Sequence, residues 1–188
     1  DCPQRDERLG WTGDAQVFFR TASFLGRVDN FFNKWLADLK VEQRSDGRVP
    51  RVIPDTYCAG DYRTAATGWA DAATIVPWNH YMAYGHIQIL EQQYDSMKGW
   101  VDYMVSQSKD RGWLWNNGSH YGDWLFYSLA NDPGGRSAVT SSHLVAQCFF
   151  ANSADIVCRT AKLLGKQEDT DYYADIASKV RKAYMDEY

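Results

Sequence analysis

The sequence is most informative at first in what it lacks. No run of eighteen apolar residues occurs in its 188 positions, so no membrane-spanning helix is expected. No basic-then-apolar leader opens it. The first residue is Asp, not Met, and the chain is expected to begin inside a longer protein. Basic residues are not in excess: the formal charge is −4, which argues against a nucleic-acid or anionic-membrane partner. Cysteines are few, and Cys2, Cys58, Cys148 and Cys158 show no CxxC or other metal-like spacing. They are expected to be free, mostly buried thiols. His80, His86 and His143 fall on helix faces and His120 in a loop, none at ligand spacing with Cys or a carboxylate. No metal and no cofactor is expected. GxSxG, P-loop and GxGxxG motifs are absent, which removes hydrolase-elbow, nucleotide-triphosphatase and Rossmann readings. The compartment stays open among periplasm, exterior and cytoplasm.

What is present is helical period and tryptophan. Residues 14–27 place Val17, Phe18, Ala22 and Leu25 at helical spacing behind Asp14, an expected N-cap. Residues 30–44 give a second helix with Phe31, Trp35, Leu36 and Leu39 on its apolar face. A long loop, 45–70, precedes a helix from Asp71 that Pro77 should kink. A helix over about 86–107 follows, with Ser96–Gly99 a candidate break. A second long loop, 108–136, leads to a helix over 137–165, stopped by Gly165, and a last helix from Thr170. The repeating unit is long loop, helix, short turn, helix, three times over, so the chain reads as all-α antiparallel hairpins. RVPRVIP, residues 48–54, and GWLWN, residues 112–116, alternate enough to be short strands. Because each long loop precedes the first helix of a hairpin, all three are expected at one end, where long loops carry function.

Those loops share a composition. DCPQRDERLGWTGDAQ, residues 1–16, holds Asp1, Asp6, Glu7 and Asp14 around Arg5, Arg8 and Trp11. GWADAATIVPW carries Trp69 and Asp71, and YGDWLF carries Asp123 and Trp124. A carboxyl held against an apolar ring and beside other acids keeps its proton more readily, as a general acid for glycosidic-bond cleavage must. Glu7, between Asp6 and Arg8 and near Trp11, has that setting, and a tryptophan face suits the C–H side of a sugar ring. Gly10 and Gly13 are expected to let the backbone turn around Trp11. Acid–arginine mixtures are also ordinary solvated surface, and most tryptophans are core. The coincidence of acid and tryptophan in three loops favours a carbohydrate cleft.

The same three blocks resemble the catalytic domain of α-L-rhamnosidases of glycoside hydrolase family 78, in order and over most of the chain. The resemblance implies an (α/α)6 toroid of six hairpins that hydrolyses terminal α-L-rhamnose with inversion. It implies Glu7 as general acid, and Asp1, Arg5, Trp11, Asp14, Trp69, Asp71, Asp123 and Trp124 as substrate-binding residues. Three hairpins are read over residues 1–188, about half of the toroid. The family's general base would then lie beyond Tyr188, and the chain alone is expected to be poorly active or inactive. Its expected partners are a rhamnoside substrate and the remainder of its own domain, or a second copy that covers apolar faces left open. Two alternatives are another six-hairpin glycosidase and a non-catalytic carbohydrate-binding helical domain.

Overall fold

The computed structural model describes residues 5–56, 65–124 and 140–188. Among them are six α-helices: α1 Thr12–Leu25, α2 Asp29–Glu42, α3 Ala72–Tyr84, α4 Gln88–Ser108, α5 Ser142–Leu163 and α6 Gln167–Glu187. Turns of three residues, 26–28, 85–87 and 164–166, join the two helices of each pair. Gly85 and Gly165 sit at φ +72° and +70°, the left-handed backbone that ends a helix without a Cβ clash. The expected three hairpins are therefore present, and their long connections fall at the opposite end.

The helices pack as two layers. α1, α3 and α5 stand side by side, and α2 and α4 flank them. The Phe19 and Phe32 rings, 4.7 Å apart and edge to face, join α1 to α2. α6 lies on α5 and is tied to α4 by side chains. Asp169 accepts hydrogen bonds from the Tyr94 hydroxyl at 2.7 Å and from Lys98 Nζ at 3.0 Å, and the Tyr173 hydroxyl donates to Asp102 at 2.7 Å. The layers meet over Leu36, Leu39, Leu90, Met97, Trp100, Met104, Phe150, Val157 and Ile176, all essentially inaccessible. Each such side chain contributes about 1.5–3 kcal/mol on burial. The i,i+4 pairs on the surface, such as Arg159 with Asp155 and Lys182 with Asp186, contribute about 0.3–0.5 kcal/mol each. The core, not the charge pattern, sets the arrangement.

Several local expectations are corrected. α1 starts at Thr12, so Asp14 lies in its first turn, and Trp11 occupies the cap position with no side-chain cap bond. The buried face of α1 is Thr12, Gly13, Gln16, Phe19 and Ala22, whereas Val17, Phe18 and Leu25 are exposed. α1 carries apolar residues on two faces, and the tighter one follows Phe19. On α2 the core residue is Phe32, and Phe31 points outward. α4 is unbroken across Ser96–Gly99. Neither strand forms among the described residues. Segment 48–54 makes isolated bridges at Pro50 and Val52, the latter antiparallel with Trp11. In segment 112–116 the buried Gln147 amide accepts from Trp115 N–H at 2.9 Å and donates to the Trp113 carbonyl at 2.8 Å, while Trp113 N–H donates to Ser108 O at 2.9 Å. Cys148 is exposed and Cys158 half-buried, both free. Cys2, Cys58 and the expected start of α5 at Ser137 lie outside the described residues.

Gly47 shows how closely α2's exit approaches α4. Its φ is +94°, and a Cβ there would stand 2.0 Å from the Gly99 carbonyl oxygen. Gln43 Nε2 closes the same junction, donating to Gly47 O at 2.8 Å and Ser96 O at 3.1 Å. Gly47→Ala is expected to destabilise the fold by about 2–4 kcal/mol, from left-handed strain plus overpacking. Urea unfolding of the polypeptide carrying the domain measures it, and a loss below 1 kcal/mol would contradict this packing, given that left-handed strain alone costs about 1–2 kcal/mol.

Candidate active site

The three long connections meet in one groove of about 930 Å³. Trp11 and Asp14 line it from the first segment, Gly68 and Trp69 from the second, and Gly122, Asp123 and Trp124 from the third. Its flank is apolar, formed by Val17, Phe18 and Phe31.

Each segment is held by an identifiable constraint. The first runs against residues 51–53: Ile53 N–H donates to Gly10 O at 2.8 Å and Thr12 N–H to Arg51 O at 2.9 Å. A Cβ at Gly10 would lie 2.1 Å from the Ile53 carbonyl oxygen, and one at Gly13 3.0 Å from the Trp69 indole. These glycines permit close approach, not a turn about Trp11. The third segment rests on the start of α5, where a Cβ at Gly122, whose φ is +62°, would meet Ser142 at 3.0 Å.

The expected site residues divide clearly. Glu7 is exposed and is not among the residues that line the groove; its carboxylate accepts the indole N–H of Trp11, which does line it, at 2.9 Å. It therefore stands on the same side as Trp11, Trp69 and Trp124. Asp14 and Asp123 are exposed and line the groove. Arg5 is exposed in the turn before Glu7. Asp1 lies outside the described residues. Asp71 does not line the groove: it is completely buried, and both its oxygens are occupied. Burial pushes its carboxyl up from the ordinary range, while Ser153, Trp100 and the Gly68 N–H act the other way.

Sequence reasoning missed the residues that join the walls. The Arg51 guanidinium lies over the Trp11 ring, 5.4 Å from its centroid, and donates to the Tyr121 hydroxyl. Tyr121 packs on Trp69, with centroids 4.4 Å apart, and on Trp124 at 5.2 Å. One arginine–tyrosine pair thus touches all three tryptophans. His120 is a second clasp. Its Nδ1 accepts from Thr67 N–H at 3.3 Å and stands 3.0 Å from Thr67 Oγ1, so Nε2–H donates to Asn117 O at 2.9 Å.

A stack of helix hairpins that gathers acids and tryptophan faces into one end groove defines a glycosidase-type helical domain. The comparisons make the assignment specific: residues 1–188 match the bacterial alpha-L-rhamnosidase six-hairpin glycosidase domain, and the chain belongs to that family. An alpha-L-rhamnosidase of Formosa agariphila is 40% identical over 184 residues, covering 98% of this chain and 19% of that protein. The crystal structure of Streptomyces avermitilis alpha-L-rhamnosidase complexed with L-rhamnose superposes with a TM-score of 0.84 at 38% identity, covering 100% of this chain and 17% of that one. Native alpha-L-rhamnosidase from Aspergillus terreus gives 0.89 at 34% identity, over 100% and 21%. The chain thus spans about one fifth of the length of the relatives it matches.

The His120 clasp makes a pH prediction. Burial chiefly, with the neighbouring His143, lowers its pKa from 6.5 to about 4, against the opposing bond to Asn117. The acceptor role at Nδ1 needs the neutral ring. A depressed folded pKa means the unfolded state binds the proton first, so the clasp's stability is complete above pH 6.5 and is lost toward pH 4. His120→Ala should therefore cost more stability at pH 7 than near pH 4.5, compared with wild type by denaturant unfolding. A cost independent of pH would refute the neutral clasp.

Proposed function

We propose that this chain supplies the first three hairpins of a six-hairpin catalytic domain that hydrolyses terminal α-L-rhamnose from glycosides or polysaccharides. The observation that carries the reading is the placement of Glu7, bonded to the indole of Trp11, which walls a groove together with Trp69 and Trp124. The relatives named as alpha-L-rhamnosidases, one solved with L-rhamnose, supply the sugar.

In this mechanism the sugar lies with its C–H face on the tryptophan rings. Asp14 and Asp123, with Asp1 and Arg5 from the same acidic loop, bind its hydroxyls. Glu7 gives its proton to the glycosidic oxygen as the bond to the anomeric carbon breaks. Water adds to the opposite face, activated by a carboxylate about 6.5–9.5 Å from the acid, with inversion. That base comes from the remaining hairpins of the domain, which also cover the apolar flank at Val17, Phe18 and Phe31. The 188-residue chain alone is accordingly poorly active or inactive. Asp71 serves the site from behind and not by touching sugar.

The test uses the full-length polypeptide. Glu7→Gln should lower turnover of rhamnosides with poor leaving groups by about 10²–10⁴-fold. With a dinitrophenyl leaving group, which departs without protonation, the loss should be much smaller. Near-normal turnover of the unactivated substrate would remove Glu7 from the acid role. Turnover of another aryl glycoside in preference to the rhamnoside would point to a different sugar.

A further inference from the structure

Asp71 is a fully buried carboxylate at the head of α3, with donors converging on it from three directions. Its Oδ2 accepts from Gly68 N–H at 2.8 Å; its Oδ1 accepts from the Trp100 indole N–H at 3.0 Å and the Ser153 hydroxyl at 2.6 Å. The Ser153 hydroxyl in turn stands 2.7 Å from Thr74 Oγ1. Three donors and no acceptor around it suit a carboxylate and nothing else of that shape. One side chain therefore ties α4, α5 and the segment before α3 to a single point.

Gly68 is where this network reaches the groove. Its φ is +79°, its N–H is held by Asp71, and its carbonyl accepts from Gln16 Nε2 at 3.2 Å. The peptide groups on either side of Gly68 are thus fixed independently, by the core behind and by α1 in front. Trp69 follows directly, and its indole fills the space above Gly13 and lies against Tyr121. With the backbone of Gly68 pinned, the Trp69 ring has one place to go.

We propose that Asp71 is a positioning residue of the sugar groove: through the Gly68 N–H it sets the plane and depth of the Trp69 platform without meeting the substrate. The proposal rests on the rhamnosidase reading only for its kinetic arm. In Asp71→Asn an amide N–H₂ faces either the Gly68 N–H or the Trp100 and Ser153 donors, so a bond to the charged group is lost and two donors oppose.

The experiment compares Asp71→Asn, Trp69→Ala and the double variant in the full-length polypeptide, with 4-nitrophenyl α-L-rhamnoside as probe. Loss of one such hydrogen bond corresponds to about a tenfold rise in KM, with kcat changed far less. Because Asp71 acts through Trp69, the double variant should be no worse than Trp69→Ala alone. Additive losses, or a KM unchanged in Asp71→Asn, would overturn the proposal. A second measurement does not depend on turnover. With 5-fluorotryptophan in place of tryptophan, the fluorine resonance assigned to Trp69 by its absence in Trp69→Phe should shift in Asp71→Asn, while that of Trp35 stays. Gly68→Ala, strained at φ +79°, should move the same resonance with Asp71 intact. If wild type ignores rhamnosides but the Trp69 signal moves, the substrate reading fails and the positioning role stands. An unmoved Trp69 signal in a folded Asp71→Asn sinks the positioning role whatever the substrate.

Discussion

The indole of Trp69 lies directly on the backbone of Gly13, and a Cβ at position 13 would stand 3.0–3.1 Å from three of its ring atoms. This contact joins the first turn of α1 to the segment that leads into α3. The rest of the groove is arranged around it. With Trp69 seated on α1, Tyr121 packs against it at a tilt, and Arg51 can reach both Tyr121 and the Trp11 ring. A larger residue at position 13 would separate α1 from Trp69 and open the wall that Asp14 and Trp11 share. Aromatic rings suit this task because their shape is rigid. Each loses few rotatable bonds on ordering and covers a large area, so a small number of contacts fixes three loops.

The loops are held by polar groups of two kinds, and the division follows burial. Behind the groove, the Asp71 carboxylate and the Gln147 amide each take several partners with no access to water. Leaving any of those partners unpaired would cost about 1–3 kcal/mol, so these networks specify one arrangement of loop on helix. In front, Glu7, Asp14 and Asp123 are exposed. Asp14 and Asp123 at the mouth keep their hydration until something displaces it, which suits groups proposed to exchange water for sugar hydroxyls. The same residue type therefore plays opposite parts a few residues from a tryptophan, set by which way the backbone turns it.

That distinction marks the boundary of what the sequence reveals. The hairpins were legible because short turns and helical period are local, and three short turns at one end force three long loops to the other. That topology puts the segments carrying Trp11, Asp14, Trp69, Asp123 and Trp124 at one end, and Arg51, Tyr121 and the Gly13–Trp69 contact bring them together. The phase of α1 was not legible, since Phe18 and Phe19 are adjacent and both apolar faces satisfy a helical period. Phe19 is selected for the core by its neighbours on other helices, Phe32 of α2 and His80 of α3. Asp71 looked like Asp14, an acid beside a tryptophan at a helix start, and nothing local shows that Trp100 and Ser153 converge on it. Arg51 lies in none of the blocks that carry the resemblance, Tyr121 only opens YGDWLF, and nothing local announces a contact that spans 70 residues of chain. GWLWN has strand-like alternation, but an extended segment needs only partners for its backbone, and Gln147 provides two of them in place of a neighbouring strand.

One helix carries both the groove's acid end and its apolar flank, and this couples chemistry to assembly. Thr12, Gly13 and Gln16 of α1 face inward to the other hairpins, while Val17 and Phe18 are exposed along the groove. Glu7 hangs from the residue just before this helix by its bond to Trp11. In the closed ring proposed above, the hairpins that cover Val17 and Phe18 press on the same helix that sets the position of the general acid. On that proposal they also bring the base. An inverting pair works only at a separation that admits one water beside the sugar, about 6.5–9.5 Å. Drawing the two carboxylates from different parts of the ring would make that separation depend on helix packing as well as on the loop that carries Glu7. Helix interfaces of this kind are stiff, because their side chains interdigitate at near-crystalline density. In that ring the packed helices would fix how the two parts of the domain approach each other, while the bond to Trp11 fixes the acid within its own loop.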